Sequence, residues 1–196
     1  GALNLYQIPT SGTQDEELLL KTNEHKWPTS WSRDKRFLLY TTVDPQTRAD
    51  LCVLPLEDRK PKEYVRTEAN ELDARFSPDM RRVAYVSDES GRYEVYVRDF
   101  TQSPGMQVEA GVKVQVSAEG GLGPRWRQDG RELYYRTRDG KMMVVDVAAG
   151  SPFRPGVPRV LFETPPDPIV NSTQAIPLSA WDVTSDCKRF LLSIPS

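Results

Sequence analysis

The feature that most constrains this chain is a short motif that returns four times: Asp34 in "WSRDKRFLLY", Asp79 in "FSPDMRRVAY", Asp129 in "WRQDGRELYY" and Asp186 in "VTSDCKRFLL". The aspartates lie 45, 50 and 57 residues apart. A large apolar residue stands three positions before each (Trp31, Phe76, Trp126, Val183) and a base two positions after (Arg36, Arg81, Arg131, Lys188). Aspartate bonds its own backbone in a turn, and the residues that follow are β-formers, so each motif predicts a turn between two strands.

Two further marks keep step with the first. A second apolar run ends in Pro or Asp, at Pro9, Pro55, Asp99 and Asp146, and a third closes on a hydroxyl residue, at Thr22, Thr67, Ser117 and Thr164. From that hydroxyl to the next aspartate is 12 residues three times, then 22, an insertion of 10. A constant linker between variable loops marks equivalent geometry. Each repeat therefore holds four short strands, and four strands in a period of about 40 to 50 residues predict the blades of a β-propeller. One blade cannot cover its own apolar faces, and stacking against neighbours does so.

The motif [FW]-S-x-D-x-[RK], complete in "FSPDMRRVAYVSD" and degraded in "WSRDKRFLLYTTVD" and "WRQDGRELYYRTRDG", resembles the TolB-type, WD40-like β-propeller repeat, over essentially the whole chain. The resemblance is specific for fold and broad for function. Similar repeats occur in periplasmic scaffolds, in the C-terminal regions of bacterial serine/threonine kinases, and ahead of prolyl-oligopeptidase-type hydrolases. The glycine expected after the aspartate survives only at Gly130; Lys35, Met80 and Cys187 stand in its place and predict type I turns that need no glycine.

The phase of the repeat is unusual. The chain begins with two outer strands, Asn4 to Pro9 and Glu17 to Thr22, and ends with two inner ones, Ser179 to Val183 and Phe190 to Ile194. The expected fold is an all-β propeller of four-stranded antiparallel blades, three complete and a fourth assembled from the N- and C-terminal strands. Blade parts fall at 3–24, 25–69, 70–119, 120–166 and 178–195, with a Pro-rich insertion at 165–177. The alternative is a piece of a larger propeller whose open blade edges allow a homodimer. Thr13 and Glu16 also satisfy a helix capping box, but the repeat register places a strand at Glu17 to Thr22 and takes precedence.

Charge narrows the function. Lys+Arg 26 and Asp+Glu 28 nearly cancel, leaving -2, so no strong field gathers phosphates and nucleic acid is not an expected partner. In "RWRQDGRELYYRTRDGK" the bases are diluted by Asp129, Glu132 and Asp139. No run approaches the roughly 20 apolar residues of a spanning helix and the start lacks a signal peptide's basic and apolar regions, so direct membrane insertion is not expected. Cys52 and Cys187, without a CxxC pair, are read as two buried thiols rather than a disulfide.

Catalytic vocabulary is sparse. His25 is the only histidine, no GxSxG elbow is present, and "GGLGPRW" lacks phosphate-loop spacing. "DESGR" at Asp88 to Arg92 reads as a hairpin turn without the ligand spacing of a calcium loop. No cofactor or metal is expected. Ser151 to Pro177 holds seven of the 16 prolines, a stiffened loop that either packs on the rim or docks a partner. The expectation is a noncatalytic module whose loop face engages a protein or peptide through His25, Trp27, Asn70, Asp88, Arg92 and Asp139. The resemblance further implies a larger bacterial protein in a periplasmic or extracytoplasmic setting. The alternatives are a ligand-sensing kinase region, a small-molecule or glycan site in the channel, and a hydrolase-associated propeller.

Overall fold

A computed structural model describes residues 1–11, 15–44, 48–103, 107–166 and 181–193. Sixteen strands form five antiparallel sheets in chain order. The first is a hairpin of β1 (Leu5–Gln7) and β2 (Glu17–Leu20), so the strand reading prevails over a helix at Glu17. Thr13 lies outside the described residues.

Three four-stranded blades follow. Blade 1 holds β3 (His25–Trp31), β4 (Phe37–Asp44), β5 (Arg48–Pro55) and β6 (Lys62–Val65). Blade 2 holds β7 (Glu71–Phe76), β8 (Arg82–Ser87), β9 (Glu94–Ser103) and β10 (Gln107–Gln115). Blade 3 holds β11 (Leu122–Trp126), β12 (Glu132–Arg136), β13 (Lys141–Asp146) and β14 (Arg159–Glu163). A last hairpin joins β15 (Trp181–Val183) to β16 (Phe190–Leu192).

Every motif aspartate works as expected, and one detail is added. Asp79 accepts from the Ser77 hydroxyl at 2.6 Å and from the Arg81 N–H at 3.1 Å, while Ser77 Oγ accepts the Arg82 N–H at 3.0 Å. Asp34 with Ser32 and Asp186 with Thr184 repeat the clip. In blade 3 Arg127 replaces the hydroxyl and pairs with Asp129 at 3.4 Å. The residue after the aspartate is nonetheless left-handed in all four: φ is 60° at Lys35, 60° at Met80, 73° at Gly130 and 56° at Cys187. Three of the turns are glycine-free as expected, closed by bonds from the Lys35, Met80 and Cys187 N–H groups to the carbonyls of Ser32, Ser77 and Thr184 at 2.8–2.9 Å. What the turn type does not announce is that the residue ending each is held in the conformation glycine favours, where the aspartate and hydroxyl bonds fix the loop around it.

The core lies between units. Leu5 and Leu19 of the first hairpin pack on Leu38, Tyr40, Cys52 and Leu54 of blade 1. Phe37, Leu39 and Tyr64 of blade 1 meet Phe76, Tyr85 and Phe100 of blade 2, whose other face meets Leu133, Tyr135 and Phe153 of blade 3. Trp181 of the last hairpin packs with Tyr134, Met142 and Val144 of blade 3, and Phe190 packs against them. In the described half of the Pro-rich stretch Phe153 alone is buried, anchoring an otherwise exposed or half-buried segment to blade 3; residues 167–177 lie outside the described residues.

The fourth blade expected from the two termini is not formed among the described residues. β1–β2 and β15–β16 are separate two-stranded sheets, each held by the blade next to it in sequence, at opposite ends of the row. The cysteine expectation is met at Cys52, a buried free thiol pushed up to about 11 by burial, and corrected at Cys187, which is free and only half-buried.

Candidate functional site

The blade topology puts the linkers between blades on one face with the β8–β9 and β12–β13 hairpins, and there the hydroxyl that closes each repeat acts as a clip. Thr67 Oγ1 donates to Glu71 and accepts the Ala69 N–H at 3.0 Å. Ser117 Oγ donates to Glu94 and accepts the Val95 N–H at 2.7 Å. Thr164 Oγ1 donates to the Gly140 carbonyl at 2.7 Å. Gly140 has φ +95°, and a Cβ there would lie 2.1 Å from the Thr164 carbonyl, so only glycine fits the approach.

Two buried carboxylates occupy successive junctions. Glu94 accepts from Ser117, from the Gly120 N–H at 2.9 Å and from Arg92 Nε at 2.6 Å. Glu71 accepts from Thr67, but its second oxygen has no partner. Burial pushes the Glu71 carboxyl up to about 7, and the charges of Asp50, Glu89 and Asp88 add to the shift.

Each junction borders a cleft. One of ≈ 620 Å³ lies among Arg48, Thr67, Glu68, Asp88 and Glu89; another of ≈ 420 Å³ lies among Glu119, Tyr135, Arg138, Asp139 and Lys141, with Met143, Pro158 and Val160 forming an apolar side. Both offer charged groups of either sign beside backbone, a lining suited to polar peptide groups rather than to one charged small molecule, and the second adds room for an apolar side chain.

The six sequence-predicted residues are partly gathered here. Asp88 lines the first cleft and accepts from both the N–H and the side-chain amide of Asn70, each at 2.7 Å. Asp139 lines the second, where Lys141, then the Thr137 hydroxyl, hold its carboxyl below the usual range. Arg92 is tied to Glu94 and to the Ala118 carbonyl. His25 and Trp27 line neither cleft; their rings stack at 5.9 Å, and His25 Nδ1 accepts the Leu3 N–H at 3.3 Å. Sequence reasoning used Thr67 and Ser117 only as strand markers and missed Glu71 and Glu94. The available signal was an acid in the first position of each strand, in "ELDARF" and "EVYVRD".

A charged row joins the first strands of successive units, β7, β11 and β15. Asp73 pairs with Arg75 at 2.9 Å and Arg125 at 3.4 Å, and Arg125 reaches Asp182 at 3.7 Å and lies over the Trp181 ring at 5.4 Å. This row ties blade to blade. Among the described residues no three His, Cys, Asp or Glu side chains converge as metal ligands.

No family model and no curated sequence matches the chain. Solved structures do. A protein assigned as TolB from Agrobacterium tumefaciens aligns at 19% identity and TM-score 0.60, over 82% of this chain and 56% of its own. TolB from Acinetobacter baumannii aligns at 20% identity and TM-score 0.57, over 82% and 38%. A protein assigned as a 6-phosphogluconolactonase from Bacteroides uniformis aligns at 13% identity and TM-score 0.55, over 95% and 56%. The chain has a TolB-like β-propeller fold and spans between about two fifths and just over half the length of these proteins.

Proposed function

We propose that the chain is a noncatalytic protein- or peptide-binding propeller module of a larger bacterial protein, and that the partner lies across the face of linkers and hairpins. The observation that carries this is a cleft of mixed charge beside a linker and a hairpin at each of two successive junctions. A repeated site spaced by one blade suits an extended polymer of repeating polar groups, which is what a peptide is. His25, the only histidine, stacks on Trp27 and binds the Leu3 N–H, which favours a structural role over that of a general base. The open blade edges support a second partner, another copy of the chain itself.

Selection of a displayed random-peptide library against the chain tests the face. Enriched peptides are expected to lose about tenfold or more in affinity when exposed Glu68 and Glu119 are both changed to Lys, and to keep it when Arg81 and Arg131 on the opposite face are changed to Glu. The reverse pattern, or no enrichment, contradicts the proposal.

A further inference from the structure

The two junctions on the face of linkers and hairpins share one plan, and the first lacks a part that the second has. Thr42 and Ser87, each eight residues after a motif aspartate, pair with Asp50 and Glu94. Those two acids are therefore equivalent, and so are Arg48 and Arg92, two residues before them. At the second junction Arg92 Nε donates to Glu94 at 2.6 Å, and the Ser117 hydroxyl and the Gly120 N–H complete its donors. The first junction buries two acids, Asp50 and also Glu71; four residues after the clip hydroxyl, where Glu71 follows Thr67, Gly121 follows Ser117.

Positive charge does not keep pace with the extra acid. Asp50 shares Arg66 with Glu63, at 3.8 Å and 2.5 Å. Glu71 is 0% exposed and accepts from the Thr67 hydroxyl, while its other oxygen has no hydrogen-bond partner among the described residues. Thr67 lines the ≈ 620 Å³ cleft, so Glu71 stands behind the cleft wall, and the charges of Asp88 and Glu89 on that wall reach it. Glu68, Asp88 and Glu89 line the cleft against one base, the exposed Arg48, and of these acids Glu89 is paired with Lys113. The second cleft is balanced instead, with Arg138 and Lys141 beside Glu119 and Asp139.

We propose that the first cleft takes a basic side chain of the bound peptide, an arginine or a lysine, which supplies there the positive charge that Arg92 supplies at the next junction. The proposal rests on the peptide-binding reading and adds what the peptide must carry. The cation lies beside Glu68 and Asp88, with Thr67 separating it from Glu71. Charges separated by protein attract several times more strongly than charges separated by water, so Glu71 contributes without being touched. Burial holds the Glu71 carboxyl up at about 7, and a cation in the cleft favours its ionised form.

Peptides enriched from the displayed library, resynthesised with each Arg or Lys replaced in turn by uncharged citrulline, test this. One replacement is expected to cost about tenfold or more in affinity for the parent chain. In the Glu71→Gln chain, which keeps an acceptor for the Thr67 hydroxyl, the same replacement is expected to cost less than about threefold. Glu68→Gln, at an exposed position, is a second variant that spares the core and is expected to lower the citrulline cost by about twofold. Enriched peptides without a basic residue overturn the basic-residue site and leave peptide binding standing. So does a citrulline cost undiminished in the Glu71→Gln chain, or in the Glu68→Gln chain where circular dichroism shows Glu71→Gln unfolded. No enrichment at all overturns peptide binding and this site with it.

Discussion

The middle of this molecule and its two ends are written in the same vocabulary, yet they differ in how much of it is buried. Phe100 in blade 2 meets Phe37 at 5.6 Å, Tyr64 at 5.8 Å and Phe76 at 5.0 Å, joining rings of two blades. Phe190 in the last hairpin meets Tyr134 at 5.5 Å, Phe162 at 5.1 Å and Trp181 at 6.1 Å, but only blade 3 stands behind it. A blade is stable because a neighbour covers each face, so a unit with one neighbour holds about half of the available burial.

The largest effect separates middle from end. Phe100→Ala is expected to cost about 3–5 kcal/mol in denaturant unfolding. Ile8→Ala, at an exposed position of the first hairpin, is expected to change stability by less than about 0.5 kcal/mol. Equal losses would break the comparison.

Next in size is the contrast between the two junctions. Glu94 has three donors, whereas Glu71 has one partner and an orphaned oxygen. Because burial raises the Glu71 carboxyl from 4.5 to about 7, the folded state favours its neutral form. Its contribution to stability is therefore full below about pH 4.5 and is lost as pH rises through about 7, a change on the order of 3 kcal/mol. Glu71→Gln is expected to flatten this window, measured as unfolding midpoints from pH 4 to 8, and a Glu71→Gln chain with the same slope as the parent would contradict the assignment.

A smaller effect sharpens the comparison at the turns. Ser77→Ala removes a buried hydroxyl that accepts the Arg82 N–H and is expected to cost about 1–2 kcal/mol. Thr184→Ala removes the same clip in the exposed last hairpin and is expected to cost under about 0.5 kcal/mol. The smallest effect has the opposite sign: Lys35→Gly, at φ 60°, is expected to stabilise by about 1 kcal/mol or less, since relief of the left-handed cost is partly offset by glycine's greater freedom in the unfolded chain.

The repeat was legible because a turn clip, a closing residue and a clipping hydroxyl each need particular side chains at fixed spacing. Asp79, Pro55 and Thr67 announce themselves in this way. The left-handed φ at Lys35, Met80 and Cys187 was not legible, because the glycine normally diagnostic of it is replaced and the local aspartate and hydroxyl bonds impose the conformation. The junction carboxylates were hidden for a related reason. An acid that opens a strand reads as solvated, and only the packing of two blades shows Glu71 and Glu94 to be buried. That the termini do not join into one blade was not legible either, because any run of whole repeats has ends of matching phase, so phase alone does not say what pairs with each end.

The most direct test of the account, that each unit is held by its neighbours and the described end hairpins by one neighbour only, is residue-resolved hydrogen exchange on the chain. The account predicts the strongest protection in β8, β9, β12 and β13 and protection lower by about tenfold or more in β1–β2 and β15–β16. Terminal hairpins as protected as β8 would contradict it.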